Sequence, residues 1–101
     1  MILQKMKCHK WKGQVKKGTV IVVPIGSTEQ HGPHLPIDTN IAIPYYLAVE
    51  TSRRAHAVVA SPANYGYNEK ELDFPATVSV KSDTFVKYLF HICDSLCRTG
   101  F

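Results

Sequence analysis

The hydrophobic positions of the chain follow two different periodicities. An apolar run rich in β-branched residues spans 19–25, and a second run spans 57–60. Both runs are bounded by turn residues, which is typical of buried β-strands. Between them a helix is predicted, capped by Thr39 or Asn40, with Pro44 in its first turn and ending near His56. The order strand, helix, strand favours a parallel pair joined by a right-handed crossover.

A second helix is predicted near the end of the chain, capped by Ser82 or Asp83 and ended by Gly100. Its apolar side chains form one broad stripe that is expected to pack against the sheet. The stripe consists of Phe85, Val86, Leu89, Phe90, Ile92, Cys93, Leu96 and Cys97. Core packing therefore explains Cys93 and Cys97 better than half of a metal site does.

A polar loop, 26–36, directly follows the first predicted strand and contains a carboxylate and two imidazoles. In an extended segment, residues two apart point to the same side, so Glu29 and His31 are expected to face one region. An oxygen and a nitrogen donor together suit a divalent metal, although further ligands must come from elsewhere. The alternative is a structural turn whose polar groups are hydrogen-bonded.

The run from Pro24 to Asn40 closely resembles the signature of the creatininase (creatinine amidohydrolase) family. A weaker match covers 65–67 and 73–80, in which Ala76 stands where the family commonly has glycine. The resemblance implies an α/β fold, namely a three-layer α/β/α sandwich with a mainly parallel sheet, of which this chain is the N-terminal portion. We expect residues 1–101 to form a single domain or an N-terminal fragment of a creatininase-like domain.

The resemblance also implies a site with two divalent metal ions, which could be zinc, manganese or iron. Glu29 and His31 match metal ligands of the family, and Asn40 stands where members usually have an aspartate that bridges both metals. Since asparagine is neutral and bridges two cations poorly, either the site is weakened or Asp38 assists. The resemblance assigns no catalytic residue. The residues expected to contact substrate or support the ligands are His34, Tyr65 and Tyr67.

The function implied by the resemblance is metal-dependent amidohydrolysis, in which metal-activated water cleaves a C–N bond of a small, possibly cyclic, amide. Further ligands of the family lie beyond the segment that ends at Phe101, so we expect this chain to have only part of the site and to hydrolyse little by itself. Whether it is an enzyme is left open. The alternative is a catalytically inactive, shortened relative that acts as a binding or assembly module. A small-molecule amide substrate and a homo-oligomer are the expected partners.

The composition and charge of the chain bear on whether it binds nucleic acid. The formal net charge is +4 and arises mainly from lysines before residue 18. With Trp11 among them, these lysines could mark a small basic protein that binds nucleic acid. A solvated amphipathic helix or arm with Trp11 and Val15 facing the core explains them better, and no nucleic-acid partner is expected.

The cysteines and two further carboxylates bear on the cellular location and on the choice of metal ligands. Three cysteines and no secretory leader predict a cytoplasmic location, and no apolar run is long enough to predict a membrane partner. Two carboxylates in the second half of the chain, Glu69 and Glu71, are interpreted as solvated charges rather than metal ligands.

Overall fold

The structure, a computed structural model, describes residues 1–16 and 18–101. Two short parallel strands, β1 (Ile21–Val22) and β2 (Val58–Val59), lie at its centre. The predicted parallel pairing is therefore confirmed. It brings the residues that follow each strand to the same edge of the sheet, where ligand sites form in open α/β sheets.

The pairing is interrupted after β1 and then resumes. The Val22 carbonyl accepts a hydrogen bond from the Ala60 N–H, and the Pro24 carbonyl accepts one from the Ala63 N–H, both at 2.9 Å. Between these two hydrogen bonds the chain advances three residues after β2, from Ala60 to Ala63, but only two residues after β1, from Val22 to Pro24. In addition, Pro24 has no N–H to donate. The predicted strand over 19–25 is for this reason broken into short pieces.

The buried core of the described residues is small and centred on β2. Val58 and Val59 are completely buried, and the α2 helix contributes Ala48. Three further alanines are buried, namely Ala57, Ala60 and Ala63. A core of short side chains lets the helix and the strands approach closely.

Helix α2 spans Thr39–Ala55 and connects the two strands. Asp38 occupies its N-cap position, so the predicted cap at Thr39 or Asn40 is wrong. The Thr39 hydroxyl instead donates to the Pro36 carbonyl at 2.6 Å, which ties the helix start to the preceding loop. His56 is the C-cap residue, with a left-handed φ of 51°, as expected for a residue that ends the helix.

Helix α3 spans Ser82–Arg98, and Lys81 rather than Ser82 or Asp83 occupies its N-cap position. One face of α3 is half-buried, namely Phe85, Leu89, Ile92 and Leu96. The rest of the predicted stripe is exposed: Val86, Phe90, Cys93 and Cys97. The prediction that Cys93 and Cys97 pack in the core is therefore wrong. Two short strands offer too little surface to cover both faces of a helix of this length.

The first residues form two 3₁₀ turns, Leu3–Lys5 and Cys8–Lys10, followed by the short helix α1 (Trp11–Gln14). The Trp11 indole is half-buried, and its Nε1 donates to the Thr99 carbonyl at 3.2 Å. It also packs edge-to-face on Phe101, with ring centroids 5.1 Å apart. Trp11 is thus packed as the amphipathic interpretation requires, but against the segment that follows α3.

Candidate metal site

The polar loop is anchored to its neighbours through every second residue. The Gly26 N–H donates to the Ala63 carbonyl at 2.9 Å. The Thr28 hydroxyl donates to the Asn64 carbonyl at 2.8 Å, and the Thr28 carbonyl accepts from the Val78 N–H at 2.9 Å. In extended backbone this leaves the intervening side chains to point the other way.

Gln30 continues this anchoring and connects the loop to the turn at 69–71. Its side-chain amide donates from Nε2 to Glu71 Oε2 at 2.9 Å and accepts at Oε1 from the Gly32 N–H at 2.8 Å. The interpretation of Glu71 as a solvated charge is therefore wrong, because Glu71 is half-buried and hydrogen-bonded to the loop. Glu69, in the same 3₁₀ turn, is exposed as expected.

The residues between the anchors bring their side chains together on the opposite side. His31 Nε2 lies 3.6 Å from Glu29 Oε1, so the alternation correctly predicts that these two groups meet. Asn40, in the first turn of α2, donates from Nδ2 to Glu29 Oε1 at 2.8 Å and to Ser27 Oγ at 2.9 Å. The carboxylate, imidazole and amide thus form one cluster at the end of β1, beside the start of a helix whose dipole favours negative charge.

His31 supplies the observation that bears most directly on metal binding. Within the described part of the chain, its Nε2 atom is buried and has no hydrogen-bond partner. A buried polar atom without a partner is costly, and a ring nitrogen next to a carboxylate oxygen is a donor arrangement that divalent transition metals accept. The Glu29 side chain is 17% exposed and the His31 side chain 28%, so the cluster is shielded but still reachable.

Gly26 and Pro44 determine how closely Asn40 approaches the loop. A Cβ atom at Gly26 would lie 2.3 Å from the Asn40 carbonyl oxygen, so only glycine permits this contact. Pro44 lies in the second turn of α2 rather than in the predicted first turn. Because proline has no N–H, the Asn40 carbonyl lacks its helical donor and is directed toward Gly26. The sequence pattern did not reveal this close packing, which depends on two segments meeting in space.

The other predicted site residues are exposed. Asp38 and His34 are exposed, and the structure places neither in the Glu29 cluster. Tyr65 and Tyr67 are 53% and 54% exposed. Tyr65 lines a cleft of about 330 Å³ together with residues of α3, and none of the predicted ligands is among the described residues that line it.

The cluster contains fewer anionic and imidazole groups than a complete metal centre. Within residues 1–16 and 18–101, no group of three or more His, Cys, Asp and Glu side chains is arranged to hold a metal ion. Glu29 and His31 fit as two ligands, whereas the Asn40 side chain meets Glu29 through its Nδ2 atom. The cluster therefore fits part of a metal-binding site.

Comparison with known proteins agrees with this arrangement. The family model Creatininase, described as creatinine amidohydrolase, matches residues 4–101. The chain belongs to the creatininase family. The sequence resemblance is thereby confirmed over nearly the whole chain.

Three curated relatives in the creatininase family illustrate the range of its reactions. The chain is 31% identical to the 3-dehydro-scyllo-inosose hydrolase of Thermotoga maritima, over 97% of this chain and 32% of that protein. It is 43% identical to the mycofactocin precursor peptide peptidase of Mycolicibacterium smegmatis, over 60% of this chain and 27% of that protein. It is 28% identical to the creatinine amidohydrolase of Pseudomonas putida, over 80% of this chain and 33% of that protein. The chain thus spans about a third of the length of these relatives.

Solved creatininase structures resemble the chain closely in fold. A crystal structure of creatinine amidohydrolase matches with a TM-score of 0.90 at 26% identity, over 98% of this chain and 40% of that protein. A form described as creatininase Mn matches with a TM-score of 0.89, and a variant described as Zn-Zn type with 0.90. These likenesses confirm the predicted α/β class as the N-terminal portion of the family's α/β/α sandwich. The family's solved structures include forms with divalent metals.

No helix in the part of the chain that the structure describes combines the length and apolar character needed to cross a bilayer.

Proposed function

We propose that this chain provides part of the metal site of an amidohydrolase, with Glu29, His31 and Asn40 as ligands. The observation that carries the proposal is the buried His31 Nε2 atom, which has no hydrogen-bond partner among the described residues and lies 3.6 Å from Glu29 Oε1. Glu29, His31 and Asn40 would hold a divalent cation, which would supply Lewis-acid chemistry for polarising an amide carbonyl and activating water. The mixed oxygen and nitrogen donors accept zinc, manganese or iron.

The residues of the chain have separate tasks in this proposal. Glu29 contributes negative charge, His31 contributes a ring nitrogen, and Asn40 contributes a neutral carbonyl oxygen. The anchors at Thr28 and Gln30 hold the loop so that the ligands keep their relative positions, which lowers the cost of assembling the site. His34, Tyr65 and Tyr67 are proposed to contact substrate or to support the ligands, and their exposure leaves them accessible.

The proposed substrate class is a small amide, linear or cyclic, whose C–N bond is hydrolysed. The relatives named above include a peptidase, a creatinine amidohydrolase and a hydrolase of an inosose, so family membership does not choose among substrates. Residues 1–101 are proposed to act as the N-terminal portion of a creatininase-like domain. A cytoplasmic homo-oligomer stays a prediction that accompanies this proposal.

A second candidate function is a binding or assembly module without catalysis. Two observations favour it: the cluster fits only part of a metal site among the described residues, and α2 exposes a row of apolar side chains. These are Ile43, Tyr46 and Leu47, each more than half exposed.

Metal content and amide hydrolysis separate the two candidates. The purified chain, loaded with zinc or manganese, is analysed for bound metal and for its mass in solution, and it is then assayed against creatinine and short peptide amides. Bound metal together with chelator-sensitive hydrolysis supports the amidohydrolase. A chain that binds neither metal and hydrolyses none of these amides contradicts it and favours the assembly module.

A further inference from the structure

The side-chain amide of Asn40 is fully engaged through its nitrogen. Nδ2 donates to Glu29 Oε1 at 2.8 Å and to Ser27 Oγ at 2.9 Å. An ionised carboxylate only accepts hydrogen bonds, so the nitrogen and not the oxygen of the amide must face Glu29. The same contacts connect the start of α2 to the loop that follows β1.

We infer that Asn40 is a positioning residue that holds Glu29 in place without a metal ion. Its amide places the positive end of a dipole next to the Glu29 carboxylate. Without this amide, a cation would be needed there to keep the loop and the helix together. Of the two polar atoms of the Asn40 amide, only Oδ1 has lone pairs with which to bind a cation. The inference rests on the proposed function only in treating Glu29 as a metal ligand.

A carboxylate in the place of the Asn40 amide would reverse this contact. An Asn40→Asp side chain would replace the donor that lies 2.8 Å from Glu29 Oε1 with an acceptor oxygen. Two negative charges at this separation repel, and the repulsion is poorly screened because the Glu29 side chain is only 17% exposed. His31 is the neighbouring group able to bear positive charge, with Nε2 at 3.6 Å.

The inference predicts that the stability of N40D depends on a bound divalent cation more strongly than the stability of the wild type does. The wild-type chain should keep the Glu29 contact after chelation, whereas N40D should need a divalent cation to neutralise the pair. A swap of donor and acceptor should restore the contact without metal, because the amide of E29Q donates to the carboxylate of N40D. Ser27 can serve either arrangement, since a hydroxyl both donates and accepts.

The test is thermal unfolding of the full chain at one fixed pH, first in EDTA and then with added zinc. The variants are N40D, E29Q and E29Q/N40D. The matched control is N64D, which introduces the same charge change at an exposed asparagine. In EDTA we expect N40D to lower Tm by about 5 °C or more, N64D to leave it nearly unchanged, and E29Q/N40D to unfold near the Tm of E29Q. Added zinc should raise the Tm of N40D more than that of the wild type.

Two results would overturn the inference. One is an N40D chain that unfolds in EDTA at the wild-type temperature. The other is an E29Q/N40D chain that is no more stable than N40D. If N40D does not fold in EDTA while N64D does, the Tm of E29Q/N40D compared with that of E29Q decides whether the inference holds. The EDTA measurements involve neither bound metal nor hydrolysis, so their failure is distinguishable from failure of the proposed amidohydrolase.

Discussion

Gly26 lies directly against the Asn40 carbonyl, where an added Cβ would come within 2.3 Å of the oxygen. The first turn of α2 can approach the end of β1 only because this position has no side chain. The contact brings the Asn40 amide within reach of Glu29, so Gly26 contributes to the site without bearing any functional group.

Gly26→Ala should therefore push the helix start away from the loop. Steric overlap with backbone atoms is not relieved by a side-chain rotation, so we expect a loss of about 1–3 kcal/mol in the free energy of unfolding. Chemical denaturation measures this loss. Gly13→Ala is the control, because a Cβ there meets nothing within 4 Å. Equal stability of both variants would show that the approach of Asn40 is not tight.

The contact between Gln30 and Glu71 leads to a second prediction. Gln30→Ala removes the hydrogen bonds to Glu71 and to the Gly32 N–H, and we expect it to lower the free energy of unfolding by about 1–2 kcal/mol. Glu71→Ala should cost less, and the double variant should cost less than the sum of the single ones. Glu69→Ala, from the exposed part of the same turn, should have almost no effect. Additive single effects in this double-mutant cycle would contradict the predicted coupling.

Ala76 leads to a prediction of opposite sign. Its φ is 64°, a left-handed conformation that a Cβ atom disfavours by about 1–2 kcal/mol. Ala76→Gly should stabilise the chain slightly, by up to about 1 kcal/mol after the entropy of glycine is subtracted. The same change at Ala42, an exposed position inside α2, should destabilise it. Denaturant midpoints for the two variants should shift in opposite directions; a shared direction would contradict the assignment.

The sequence predicts the local parts of this arrangement well. The β-branched runs and the helical spacing between them locate β1, α2 and β2, because each signal depends on neighbouring residues. The alternation along an extended loop also places Glu29 and His31 side by side. The polar residues that follow the first strand are therefore enough to predict the position of the candidate metal site from the sequence.

What the sequence does not predict depends on residues distant in the chain. Glu71 reads as a solvated charge because nothing near it in the sequence signals the approach of Gln30. Cys93 and Cys97 read as core residues because helical spacing identifies an apolar stripe but not the surface that covers it. The role of Gly26 is likewise invisible until α2 is seen to pack against it.

Zinc titration of the purified chain is the measurement that tests the central claim most directly. Calorimetry would compare the wild type with His31→Ala and Glu29→Gln, using His91→Ala, an exposed imidazole on α3, as the control. If Glu29 and His31 are ligands, each site variant should weaken zinc binding at least about tenfold, while the control binds as the wild type does. Unchanged zinc affinity in His31→Ala and Glu29→Gln would contradict the account and make the cluster a structural turn.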